Sequence, residues 1–97
     1  MLNQFPQLVI VYNELEIAHT PQERDEHLHS VTPSDLTDVV ILNKRGEYCT
    51  LKNIPREPLS TEQLAVLVTS YLLNEGHCCL SKITTLTVDQ AFNLLEL

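Results

Sequence analysis

The residues best suited to chemistry in this 97-residue chain are its three cysteines and four histidines. His77, Cys78 and Cys79 are contiguous, and Cys49, His19, His27 and His29 complete the set. Thiolate and imidazole are the usual ligands of zinc, which makes Cys49, His77, Cys78 and Cys79 the candidate metal ligands. Their spacing fits no zinc ribbon or finger, and neighbouring cysteines on a strand point to opposite faces. The expectation is therefore no metal and no cofactor, with the thiols acting as small buried hydrophobes.

A cysteine nucleophile would need a base, and His77 or His19 with an orienting carboxylate is the available choice. Cys78, however, follows a predicted helix C-terminus, and that end of the dipole raises a thiol pKa. His27 and His29, beside Asp25 and Glu26, diverge by about 200° if they lie on a helix; the plainer reading is a solvated polar segment. Glu14 and Glu16 share one face of a predicted strand, where ion pairing with Lys52 or Lys82 accounts for them as well as acid–base work does. Lys82 itself reads as a snorkelling side chain in an apolar strand. Two isolated glycines cannot build a phosphate-binding loop, and no Gly-x-Ser-x-Gly elbow occurs. The chain is expected not to be an enzyme.

These residues sit on elements that the pattern makes legible. Leu8–Tyr12 is a continuous, largely β-branched run, and Leu15–His19 alternates at period two, so a hairpin turning at Asn13-Glu14 is predicted, with one long strand as the alternative. Thr20, Pro21 and Glu23 read as N-cap, first helical residue and capping-box partner of a short, exposed helix reaching His29. Thr32-Pro33-Ser34-Asp35 is a loop or a brief helical turn. Val39–Leu42 and Glu47–Leu51 form a second hairpin, with Gly46 placed for a type I turn and G1 bulge.

In the C-terminal part, Ser60 with Gln63 is a capping box, and Leu59 with Leu64 can staple across it. Leu64, Leu67, Val68, Tyr71 and Leu72 make one core-facing stripe, and Gly76 is placed to end that helix. Cys78–Leu86 reads as a fifth strand, followed by a short apolar helix capped by Thr87 and Gln90. The order β-β-(α)-β-β-α-β-α predicts a single α+β domain over residues 1–97, mainly an antiparallel sheet of about five strands with helices packed on it. Leu8–Tyr12 and Val39–Leu42 look apolar on both faces, so both sheet faces should be covered, by helices or by a partner.

Composition narrows the function further. Lys plus Arg total 6 against 13 Asp plus Glu, a net charge of −7. Such a surface repels phosphate backbones, which argues against nucleic-acid binding. The longest apolar runs are four or five residues, far short of the roughly 20 of a transmembrane helix, and no secretory signal is visible. With cysteines and no export signal, a reducing, cytoplasmic setting is expected. The charge is uneven: residues 1–35 hold six acids against Arg24, whereas residues 36–58 hold Lys44, Arg45, Lys52 and Arg56 against three acids. A basic middle beside an acidic first third suits association with another chain or with itself, although a solvated mixed surface is the plainer reading.

The block Gly76-His77-Cys78-Cys79-Leu80-Ser81-Lys82-Ile83 resembles a domain-of-unknown-function family of short bacterial proteins. The resemblance extends to the aromatic-Pro opening, Phe5-Pro6, and to an Asp-apolar-apolar hairpin with Gly and Tyr at its turn, Asp38–Tyr48. A long helix before the Cys-Cys block and a closing apolar helix complete it. It covers nearly the whole chain, and its specific part is Cys-Cys-x-x-Lys. The chain departs from the family in having Asn13-Glu14 and Asn43-Lys44-Arg45 where Asp-rich turns are expected. The resemblance implies an α+β fold, carries no known activity and transfers no catalytic residue.

The expected function is that of a small acidic protein that binds another protein or forms a homodimer, with Arg45 and Lys52 as interaction residues. The alternative is metal or small-ligand binding through the Cys/His cluster.

Overall fold

The structure, a computed structural model, describes residues 2–78 and 80–97. The chain divides into two compact units, Met1–Pro58 and Leu59–Leu97. The class is α+β, with one antiparallel four-stranded sheet and three α-helices among the described residues.

The first unit holds the sheet. Its strands are β1 (Gln7–Val11), β2 (Glu14–Ala18), β3 (Val40–Asn43) and β4 (Tyr48–Cys49), in the spatial order β2-β1-β3-β4. β1 is central because its β-branched run can be buried on both sides. The register sets Val9 against Ile41 and Leu8 against Leu42. Val9, Ala18, Val39, Ile41 and Cys49 form a buried cluster that Leu2, Phe5, Leu28, Leu36 and Leu51 pack against. Leu8, Ile10, Leu15, Leu42 and Tyr48, which project from the other face, are buried too. Fully burying one such aliphatic side chain contributes about 1.5–3 kcal/mol.

The first hairpin turns one residue earlier than predicted. Val11 pairs with Glu14, so Tyr12 and Asn13 are the central residues, at φ +53° and +59°. A two-residue turn of type I′ requires positive φ at both, because only that twist matches the flanking strands. The second hairpin follows its prediction at the turn: Gly46 has φ +86° and donates its N–H to the Asn43 carbonyl at 3.1 Å. The Asn43 carboxamide, 1% exposed, accepts from the Arg45 and Glu47 N–H groups and donates to Glu47 Oε1. It closes the turn from within.

α1 (Pro21–Leu28) has Thr20 as N-cap and Pro21 as its first residue, and none of its residues is buried. The capping is half as predicted. Thr20 Oγ1 accepts the Glu23 N–H at 3.1 Å, but Glu23 Oε1 reaches back to the N–H of His19, not of Thr20. His27 Nε2 lies 2.9 Å from the Ile17 carbonyl oxygen and ties α1 to β2. A 3₁₀ turn, Asp35–Asp38, leads into β3.

The second unit is helical. α2 (Thr61–Asn74) begins at Ser60, where the full Ser60–Gln63 capping box is present, and buries Leu64, Ala65, Val68 and Leu72. Leu67 and Tyr71 of the predicted stripe are half-buried. The helix ends in a Schellman motif. Gly76, at φ +90°, donates to the Leu73 carbonyl at 3.1 Å, and His77 donates to the Leu72 carbonyl at 3.0 Å. α3 (Val88–Leu94) has the Thr87–Gln90 capping box and buries Ala91 and Phe92.

The predicted fifth strand, Cys78–Leu86, is not a strand among the described residues; Cys79 lies outside them. The Ile83 N–H bonds the Leu80 carbonyl at 3.0 Å, which bends the chain at Ser81-Lys82, and the Leu86 N–H goes to Thr61 at the start of α2. β-Branched residues favour strands only where a neighbouring strand takes their hydrogen bonds, and among the described residues no strand pairs with this segment. What flanks β4 instead is a one-residue antiparallel bridge from Cys49 to Pro55.

Candidate functional site

The candidate metal ligands that are described occupy different local settings. Cys49 is wholly buried in β4, and burial pushes its thiol pKa up, with the Glu47 charge adding to the shift and the N-terminus and Arg24 opposing it. His77 and Cys78 are exposed beyond the end of α2, and Cys79 lies outside the described residues. Among the described residues no group of three or more His, Cys, Asp or Glu side chains is placed to hold a metal.

The other candidates have structural partners. His27 is engaged with Ile17, and His29 caps α1 through its N–H to the Glu26 carbonyl. Glu14 and Glu16 do lie on β2, but Val11 and Val9 stand opposite them in the ladder, so the expected cross-strand lysine is not there. Lys82 belongs to the Leu80–Ile83 turn and is exposed, not set in a strand. Arg24 donates to the Leu2 carbonyl at 2.9 Å and to Gln7 Oε1 at 3.3 Å, with its guanidinium 5.4 Å from the Phe5 ring centroid. That cation serves the N-terminal segment, where the buried Gln7 carboxamide also donates to Leu2.

The two predicted interaction residues occupy successive turns of the first unit. Arg45 is exposed at the tip of the β3–β4 hairpin. Lys52 is exposed at the next turn, which Thr50 organises: its Oγ1 accepts the N–H groups of Lys52 and Ile54, each at 3.2 Å, and its N–H bonds the Ile54 carbonyl at 2.9 Å. Asn53 takes φ +62° to complete the turn, and its Oδ1 accepts the Leu2 N–H at 3.1 Å. The result projects Ile54, 55% exposed, outward beside Lys52.

Lys52 stands at a cleft of about 540 Å³ lined by Pro33, Leu36, Thr37, Thr50, Leu51 and Ile54. Its walls are mainly apolar, and Lys52 is the charged residue of its lining. One wall comes from the segment that enters the 3₁₀ turn, and the other from the Thr50 turn. The first is held by Asp35, whose carboxylate accepts from the hydroxyls of Tyr12 and Thr32, both at 2.7 Å. Those bonds, Tyr12's first, hold the Asp35 carboxyl below the ordinary carboxylate range, against a small opposing effect of burial. The cleft is not legible in the sequence because its apolar members, Pro33, Leu36, Leu51 and Ile54, come from two separate turns. The available signal was Ile54, an apolar residue between the polar pair Lys52-Asn53 and Pro55.

No helix among the described residues is long and apolar enough to cross a membrane. A family model, DUF4144, described as a protein structure with unknown function, matches residues 5–95. No curated protein matches the chain. The NMR structure of a protein from Shewanella amazonensis is similar, with a TM-score of 0.51 and 21% identity, covering 96% of this chain and 87% of that one. At that identity the likeness speaks to the fold alone.

Proposed function

The chain belongs to the DUF4144 family, a protein structure with unknown function, and from that premise we propose that it is a non-catalytic cytoplasmic module that works by binding another polypeptide. The observation that carries this reading is the cleft at Leu36, Leu51 and Ile54 with Lys52 in its lining. An apolar slot beside one cation suits an apolar side chain followed by a carboxylate on a partner segment. Burying the apolar member supplies affinity, and the cation sets orientation and on-rate. Arg45, on the neighbouring turn, extends the same sign of charge in a chain whose net charge is −7.

The test is retention of proteins from host extract by the immobilised chain, compared with the R45E/K52E double variant. A specific protein held by the wild type and released by the double variant supports the reading. Identical retention by both contradicts it.

A further inference from the structure

We propose that the exposed face of α2 is a self-association surface, on which a second copy of this chain packs antiparallel about a two-fold axis near Thr69 and Ser70. This surface is separate from the Lys52 cleft, and the proposal goes beyond the reading above without depending on it. Val66 is 64% exposed and Leu73 56% exposed. At 100° per residue they lie within about 20° of each other on the helix, with Ser70 and Thr69 between them on the same stripe.

Charge selects the occupant. The chain carries −7, so two copies repel each other over most of their surfaces. Glu62 is the single charged residue of α2, and residues 63–74 have none. A basic partner would be recognised by the acids elsewhere, whereas a like-charged copy can approach where neither surface carries charge.

Shape supports the same occupant. Beside Leu73 lies a cleft of about 410 Å³ lined by Thr69, Leu73, Leu80, Ser81 and Ile83. The face therefore has a projecting Val66 and, seven residues on, a recess. A two-fold axis midway between them seats each Val66 in the other copy's recess, which is the self-complementarity an isologous contact requires. The small Ser70 and Thr69 at the axis let the helices come close. A parallel arrangement would instead set the two Glu62 carboxylates together. One helix face is less than the roughly 1,200 Å² of a stable interface, so the dimer is weak, with a Kd on the order of 0.1–1 mM.

The experiment is sedimentation equilibrium on the full chain up to about 1 mM, for wild type, V66E, L73E, V66E/L73K and K52E, with circular dichroism to verify folding. The expected result is a wild-type monomer–dimer equilibrium, weakened about tenfold or more in V66E and L73E. It is restored in V66E/L73K, whose new charges meet across the axis, and unchanged in K52E. A wild type that stays monomeric throughout overturns the proposal, as does a dimer that V66E and L73E leave intact. Loss of the dimer in K52E alone overturns it too, but leaves the first-unit cleft as the binding surface.

Discussion

The hydroxyl of Tyr12 donates to Asp35 Oδ2 at 2.7 Å, joining the tip of the first hairpin to the start of the 3₁₀ turn 23 residues later. Tyr12 adopts φ +53°, a conformation costing a residue with a side chain roughly 1–2 kcal/mol. The bond gives that strained residue a fixed partner and positions the segment that carries Leu36 into the cleft.

Replacing Tyr12 by Phe removes the larger of the two influences that lower the Asp35 pKa. The folded-state value lies below the unfolded one, about 3.9 for Asp. The stabilisation is therefore complete above that unfolded value and is lost as pH falls through the lower folded one. Carboxyl chemical shifts followed across that window should show Asp35 titrating at higher pH in Y12F, and its unfolding should lose less on the acid side. An unchanged Asp35 midpoint would contradict the assignment.

Both helices of the second unit depend on their caps. S60A and T87A each remove a side-chain acceptor from an N3 backbone N–H, and each should cost about 1 kcal/mol. For a chain of this size that lowers Tm by roughly 4–8 °C. Thermal unfolding followed by circular dichroism measures it.

Gly76 separates backbone strain from crowding. A Cβ at this position meets nothing within 4 Å, so G76A should cost only the left-handed backbone penalty, about 1–2 kcal/mol. G76N should cost less, because Asn tolerates that conformation. Equal losses from the two variants would show a different origin.

Thiol reactivity should divide by position. Cys49 is buried with a raised pKa, so it should resist a disulfide reagent in the native state and react only on unfolding. Cys78 is exposed and should react at native pH. Fast modification of Cys49 in the folded protein would contradict its placement.

Chelator treatment should leave Tm unchanged, since a structural metal would supply folding energy and its removal would lower the melting temperature by several degrees. A drop of that size would restore the Cys/His cluster as the site.

Features that depend on a few neighbouring residues were legible in the sequence. The Ser60 and Thr87 boxes, Gly46 and Gly76 each require particular side chains at fixed offsets, and all four stand where the spacing put them. Features set by distant pairing were not. Nothing local in β1 says that β3, some thirty residues away, lies beside it. The β-branched stretch Ile83-Thr84-Thr85 has the composition of a strand, but its chain bends at Ser81-Lys82. The first turn shifted because strand twist requires Tyr12 and Asn13 at its centre, although Tyr is a poor left-handed residue. Lys52 was legible as a cation in a basic stretch; the cleft around it was not, because its walls come from two separate turns.

The central claim, that this chain acts by binding a polypeptide at the Lys52 cleft, is tested most directly by amide spectra. The isotope-labelled protein would be recorded alone and with the host protein that the wild type retains. Shifts or broadening concentrated at Leu36, Thr37 and Thr50–Ile54, and absent in K52E, are the predicted result. Spectra unchanged at those residues, with any perturbation lying elsewhere, would contradict it.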